Sequence, residues 1–212
     1  MTKPLIMLGA GGHAAGLAEI LYAQGRVITA LVAPEPVNSK SLLVGIKRLQ
    51  NDEDLLLQYC PKDVELVNGL GSLPGKDLQW QLFQFFKTKG YSFSQVISHN
   101  AILSNNIELG EGAQIMAGVI VQAGVTIGDN TLLNSGCIVE HDCSIGQHNH
   151  IAPSATLCGG VNTGIHVHIG AGANVIQYLN IGDHAVIGAG TTIARDVLAH
   201  QTLIPACSRN LS

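Results

Sequence analysis

The chain has 212 residues, enough to bury a core in one large domain or two small ones. Only 12% of its residues are charged, the formal net charge is -4, and no block of Lys or Arg occurs. That balance argues against a nucleic-acid or anionic-membrane surface and favours small-molecule chemistry.

The N-terminus "MTKPLIMLGAGGHAAGLAEI" carries a Lys before an apolar run, but Gly-Ala-Gly-Gly-His interrupts that run too early for a signal peptide. No stretch reaches the ~18 apolar residues of a membrane span. Five cysteines, an odd count without a CxxC pair, are expected as reduced thiols, which places the protein in a cytoplasm.

In chain order, Leu5 to Leu8 reads as a strand, "GAGGHA" as a glycine turn, and Ala14 to Gln24 as a helix closed by Gly25. A strand over Val27 to Val32 completes a βαβ-like opening. Farther on, "DVELVNGLGS" is a strand entering a second glycine turn, followed by a helix from Asp77 to Thr88 and a strand from Phe93 to Ile97. Strands alternating with helices predict a parallel sheet, so residues 1–96 form a small Rossmann-like α/β domain. Both glycine turns then lie at the carboxyl edge, where such sheets bind ligands. A glycine turn serves tight strand-to-helix geometry as well as it serves a bound phosphate.

Residues 97–212 follow another rule. From Leu103 in steps of six come Leu109, Ile115, Val121, Ile127, Leu133, Val139, Ile145, Ile151, Leu157, Thr163, Ile169, Val175, Ile181, Ile187 and Ile193. Fifteen of these sixteen positions are aliphatic. An uninterrupted period of six predicts a left-handed parallel β-helix of hexapeptide repeats, three repeats to a coil, with the aliphatic residue inward. Residues eighteen apart then stack at ~4.8 Å.

On this register His148, His166 and His184 form one column and His150 and His168 another. Such columns fit polar stacking at corners or a subunit contact. They make a poor tetrahedral metal cage, since all ligands approach from one side, so no metal site is expected and a zinc-dependent hydratase built on such repeats is only a remote alternative. His141 has Ala123 below it and Gly159 above it, and Asp142 beside it. A carboxylate that accepts an imidazole N–H fixes the tautomer and stabilises the protonated ring, as a general base requires. Adjacency in sequence does not establish that contact. Cys137 and Cys143 occupy a slot also filled by Ala113, Val119, Ala155 and Ala173, which suits packed small hydrophobes better than an acyl-enzyme nucleophile.

The turns "GAGGHA" and "NGLGS" and the repeat segment "EHDCSIGQHNHIAP" together resemble the bacterial sugar acetyltransferases. That group includes sialic acid O-acetyltransferases and nucleotide-sugar N-acetyltransferases such as those acting on UDP-N-acetylbacillosamine precursors and GDP-perosamine. The resemblance covers nearly the whole chain. It implies a homotrimer in glycan biosynthesis, with acetyl-CoA as cosubstrate between neighbouring coils. The acceptor it implies is the 4-amino group of a nucleotide-linked 4-amino-4,6-dideoxy sugar, UDP-linked by preference, with O-acetylation of a sugar such as sialic acid as the alternative. His141 matches the family's base and Asp142 the acid that raises its basicity. His150 matches a residue beside the thioester, and Ala171 and Ala189 match backbone contacts to the pantetheine arm. Gly11, Gly12, His13 and Gly69 match the turns that hold the nucleotide sugar. The bacillosamine enzyme has two acids after its second strand where this chain has Ala33 and Pro34, then Glu35, so recognition of the base or ribose is expected to differ. The same missing acid argues against NAD.

Overall fold

The computed structural model describes residues 3–205. The chain divides into two compact units, one containing the residues up to His99 with Gly110–Gln114, the other Asn100–Leu109 and the residues from Ile115 onward.

In the first unit the elements run β1 (Leu5–Leu8), α1 (Gly12–Ala23), β2 (Ile28–Val32), β3 (Lys47–Leu49), α2 (Asp52–Gln58), β4 (Glu65–Asn68), α3 (Leu78–Thr88) and β5 (Val96–Ile97). The sheet has the order β3-β2-β1-β4 and is parallel throughout. All four residues of β1 are buried, so this strand reads as a continuous apolar run instead of an alternating one. Phe83 and Phe86 of α3 pack with Tyr91 and Phe93 against Leu66, and the Phe83 and Phe93 ring centroids lie 4.4 Å apart. Burying each such ring contributes about 2 to 3 kcal/mol.

Two short elements, β3 and α2, were not expected from the sequence. Conversely, the strand predicted over Phe93 to Ile97 is split. Phe93 bridges Leu66 beside β4. The Arg26 guanidinium then donates to the Ser94 hydroxyl and the Gln95 carbonyl, and regular pairing resumes only at Val96.

The second unit is a three-faced coil of parallel two- and three-residue strands paired eighteen residues apart, as in Ile138↔Thr156, Ser144↔Asn162 and His150↔His168. From Ile115 to Ile193 the inward positions are all buried. Thr163, the one non-aliphatic member, has a partner: the buried Asn149 amide donates to Thr163 Oγ1 at 2.6 Å and to the Gly164 carbonyl, while Asn149 Oδ1 accepts from the Val167 N–H. The break in the pattern satisfies a polar group that burial would otherwise penalise.

From Gly118 to Gly190 each corner turn uses one residue in the left-handed region, and His200 adds one more. Along one edge these are Gly124, Asp142, Gly160 and Tyr178, along another Asn130, His148, His166, His184 and His200, and along the third Gly118, Gly136, Ser154, Gly172 and Gly190. Asn, Asp and His tolerate this conformation better than other side chains do, which accounts for the histidine column without any ligand. The last coil is shortened, with Val197 bridging Ile181, and this brings His200 onto the column. No helix among the described residues is long and apolar enough to cross a membrane.

Candidate active site

The turn after strand Ile138–Val139 carries Glu140, His141, Asp142 and Cys143. His141 Nδ1 lies 2.9 Å from Asp142 Oδ2, and both side chains are solvent-accessible. A carboxylate only accepts, so Nδ1 carries the proton and Nε2 presents its lone pair. Asp142 itself occupies the left-handed slot of this turn, at φ +60°. The carboxylate rests over Gly124, where an added Cβ would stand 2.5 Å from Oδ1.

The ring itself lies across Gly159, one coil on. A Cβ at Gly159 would fall 2.6 Å from both Cε1 and Nε2 of His141. Glycine at 159 therefore makes the space the imidazole occupies, and together with Asp142 it fixes where Nε2 points.

The other residues expected at the acetyl-transfer centre are elsewhere on the same coil. His150 stands on the strand His150–Ile151, is 8% exposed, and accepts from the Asn134 amide at Nε2 over 3.1 Å. Its ring meets His168 edge-on at 4.9 Å. Ala171 and Ala189 are exposed, stacked in the turns that follow His168–Ile169 and Val186–Ile187. Their edge joins the His168 face to the Asn174 face, whereas the His141 edge joins the Ile138 face to the Ser144 face. Within one chain the structure brings His141 and Asp142 together and leaves Ala171 and Ala189 on a different edge.

The cysteines beside the site are packed away. Cys137 and Cys143 are buried, and burial pushes their thiols up to about 12 and about 11. A thiolate is therefore unfavourable at either position near neutral pH. In the histidine column the rings stack at 4.8 to 4.9 Å. His148 Nδ1 accepts from the Asn130 amide, and burial, then the neighbouring His166, lowers its pKa to about 4. Among the described residues, no group of three or more His, Cys, Asp or Glu side chains is placed to hold a metal ion.

In the first unit both glycine turns lie side by side at the carboxyl ends of β1 and β4, where Leu8 pairs with Asn68 and the Gly69 N–H donates to the Leu8 carbonyl. The two turns differ in why they need glycine. A Cβ at Gly69 would sit 2.8 Å from Ala14, the Leu8 carbonyl oxygen and Met7 Sδ, so packing explains Gly69. At Gly11 and Gly12 nothing lies within 4 Å of an added Cβ and neither φ is positive, so local sterics do not require glycine there. What these two glycines provide is open backbone at the start of α1, whose N-cap makes no side-chain bond and whose first turn holds no acid. Such a terminus suits an anion.

His13 follows, donating from Nε2 to Gln114 Oε1 at 2.7 Å, while the Gln114 amide donates to the Asn68 carbonyl. That chain of bonds fixes the tautomer, and burial lowers the His13 pKa, against a smaller opposing effect of the Gln114 bond.

A cavity of about 600 Å³ opens beside the first turn, walled by Leu8, Val32, Leu56, Leu82 and Phe85. Pro34 lines it but Glu35 does not; its acids are Asp52 and Glu53 at the start of α2. Burial, then Glu53, raises the Asp52 pKa. Sequence reasoning missed this pair, although Asn51 followed by an acidic run is a helix-start signal.

Comparison with known proteins bears directly on this coil. The bacterial transferase hexapeptide (six repeats) family matches residues 106–139 and 124–159. Comparison with curated protein sequences returns no match. Among solved structures, the chain is similar to perosamine N-acetyltransferase from Caulobacter crescentus, seen as a histidine-to-asparagine variant with CoA and GDP-perosamine. The identity is 30%, the TM-score 0.84, and 97% of this chain and 95% of that chain are covered. The acetyltransferase domain of PglB from Neisseria gonorrhoeae is 26% identical at a TM-score of 0.84, covering 96% and 97% of the two chains. WeeI from Acinetobacter baumannii shares the fold at 22% identity and a TM-score of 0.81, with 96% and 97% covered. With a likeness that spans both units and a hexapeptide coil carrying an oriented histidine, the chain is an acetyltransferase of the sugar N-acetyltransferase family.

Proposed function

We propose that this enzyme transfers the acetyl group of acetyl-CoA to the 4-amino group of a nucleotide-linked 4-amino-4,6-dideoxy sugar, with His141 as general base. The observation that carries this reading is the Asp142–His141 pair, which leaves Nε2 as acceptor over Gly159. The amine nitrogen attacks the thioester carbonyl, Nε2 takes the proton the amine loses, and collapse of the tetrahedral intermediate breaks the C–S bond. The proton then passes to the departing CoA sulfur. The buried, high-pKa thiols of Cys137 and Cys143 support this direct transfer over an acyl-cysteine intermediate.

Residues 1–96 act as the nucleotide-sugar-binding domain and 97–212 as the acetyl-transfer domain. The start of α1, at Gly11, Gly12 and His13, takes the diphosphate, with Gly69 packing the neighbouring turn. His150 and the backbone at Ala171 and Ala189 serve acetyl-CoA. Because Ala171 and Ala189 share no edge with His141, the arrangement supports a homotrimer in which the His141 edge of one copy meets the alanine edge of the next. Both substrates are cytoplasmic metabolites, and the enzyme works there. UDP is the first nucleotide to test and GDP the second, since the Caulobacter relative is bound to GDP-perosamine.

The test is CoA-thiol release from acetyl-CoA with a panel of UDP- and GDP-linked 4-amino sugars alongside free sialic acid. Turnover on an amino sugar supports the proposal. Turnover on sialic acid alone would reassign the enzyme to O-acetylation.

A further inference from the structure

On the His141 edge the left-handed slot is filled by Gly124, Asp142, Gly160 and then Tyr178. A tyrosine at φ +60° is an outlier, because a bulky side chain pays for that conformation. Its ring is 72% exposed, so burial does not offset the cost. The ring leans back one coil onto Gly160, where an added Cβ would stand 2.5 Å from Cδ1 and 2.7 Å from Cε1. Asp142, the other non-glycine residue of this row, has a clear local use in orienting His141. Tyr178 has no such local use.

Tyr178 lies two coils beyond His141, about 10 Å along the coil axis at ~4.8 Å per coil. In chain order it falls between Ala171 and Ala189, so its height on the coil lies between theirs. Copies related by an axis parallel to the coils keep equal heights. An aromatic face on this edge would then stand opposite the two alanines of the next copy, across the same narrow channel.

We propose that Tyr178 forms the aromatic wall of the acetyl-CoA cleft, packing against the pantetheine arm while the neighbouring copy's alanine edge supplies the other wall. This rests on the acetyl-transfer and trimer reading above. Tyr178 touches neither the amine nor the base; it is a binding residue for the cosubstrate, and Gly160 is the seat that holds its ring.

The test uses the full-length protein and CoA itself. Titration calorimetry with CoA and steady-state kinetics are run on the wild type, Tyr178→Ala, Tyr178→Phe and Tyr178→Gly. Tyr178→Ala should weaken CoA binding and raise the KM for acetyl-CoA about tenfold, the scale of one lost aromatic contact. The KM for the amino sugar should stay within twofold, and Tyr178→Phe should match the wild type. Tyr178→Gly should lose CoA affinity yet melt no lower than the wild type, because glycine relieves the left-handed strain. Unchanged CoA affinity in Tyr178→Ala, or a rise confined to the amino-sugar KM, overturns the inference and leaves the enzyme reading standing. A lower melting temperature for Tyr178→Gly also overturns it, by making Tyr178 a structural residue. A wild type that binds no CoA would overturn the enzyme reading itself.

Discussion

Two edges of the coil carry histidines, and the backbone uses them differently. On one edge His148, His166, His184 and His200 all occupy the left-handed slot of their turns, a position histidine tolerates, and their rings simply stack. On the other, His141 sits one residue before that slot, Asp142 fills the slot, and glycine above clears space for the ring. Four stacked histidines are thus explained by turn geometry, while the solitary one is not. Repetition marks architecture here, and the exception to it is the residue proposed above as the base.

Substitutions that spare His141 sharpen this contrast. The largest effect is expected from Gly159→Ala, whose Cβ would overlap the imidazole at 2.6 Å. Glycine at 159 has no positive φ, so the coil should fold while kcat falls about 10²-fold, the usual cost of misplacing a reacting group by about 1 Å. A normal kcat in that variant would mean that the ring position seen here is not the working one. Asp142→Asn should lower kcat about tenfold with little change in either KM, because the amide can still bond the ring but allows the wrong tautomer. Equal turnover would remove Asp142 from the mechanism.

The histidine column should respond to acid in stability, not in chemistry. His148 has its folded pKa lowered to about 4, against 6.5 for an ordinary histidine, so between those values the unfolded chain binds more protons. Melting temperature should therefore fall as pH drops from about 6.5 to about 4. His148→Asn should reduce that slope, while His13 and His168, whose pKa values burial also lowers, retain part of it. An unaltered slope would show that His148 does not titrate as described. The smallest effect is expected from Cys143→Ala, with turnover within twofold. Abolished activity in a folded protein would restore an acyl-cysteine route.

Much of the coil was legible because one inward residue recurs every six positions, and burial enforces that rule from Ile115 to Ile193. The single lapse at Thr163 became intelligible only with its partner Asn149, since a buried hydrogen bond leaves no period in a sequence. His200 escaped the column because the last coil is shortened and a fixed step of eighteen overshoots it. Tyr178 escaped notice for a related reason: the period locates the corner, but only dihedral angles reveal which corner residue is left-handed.

In the first unit the glycine turns were visible and the cavity acids were not. β3 has three residues of mixed polarity and α2 only seven residues, too short for either periodicity to register. The strand end at Ala33 and Pro34 carries no acid, and the carboxylates lining the cavity come from Asp52 and Glu53, which no strand-end rule would locate.

The most direct test of the account is one assay on two matched variants, His141→Asn and His166→Asn, with CoA binding measured on both. The expected result is a 10²- to 10⁴-fold loss of turnover in His141→Asn, the span for removing a general base. CoA binding should be retained in both variants, and turnover in His166→Asn should lie within twofold of the wild type. A loss of less than tenfold in His141→Asn, or an equal loss in both, would contradict the assignment of His141 as the base.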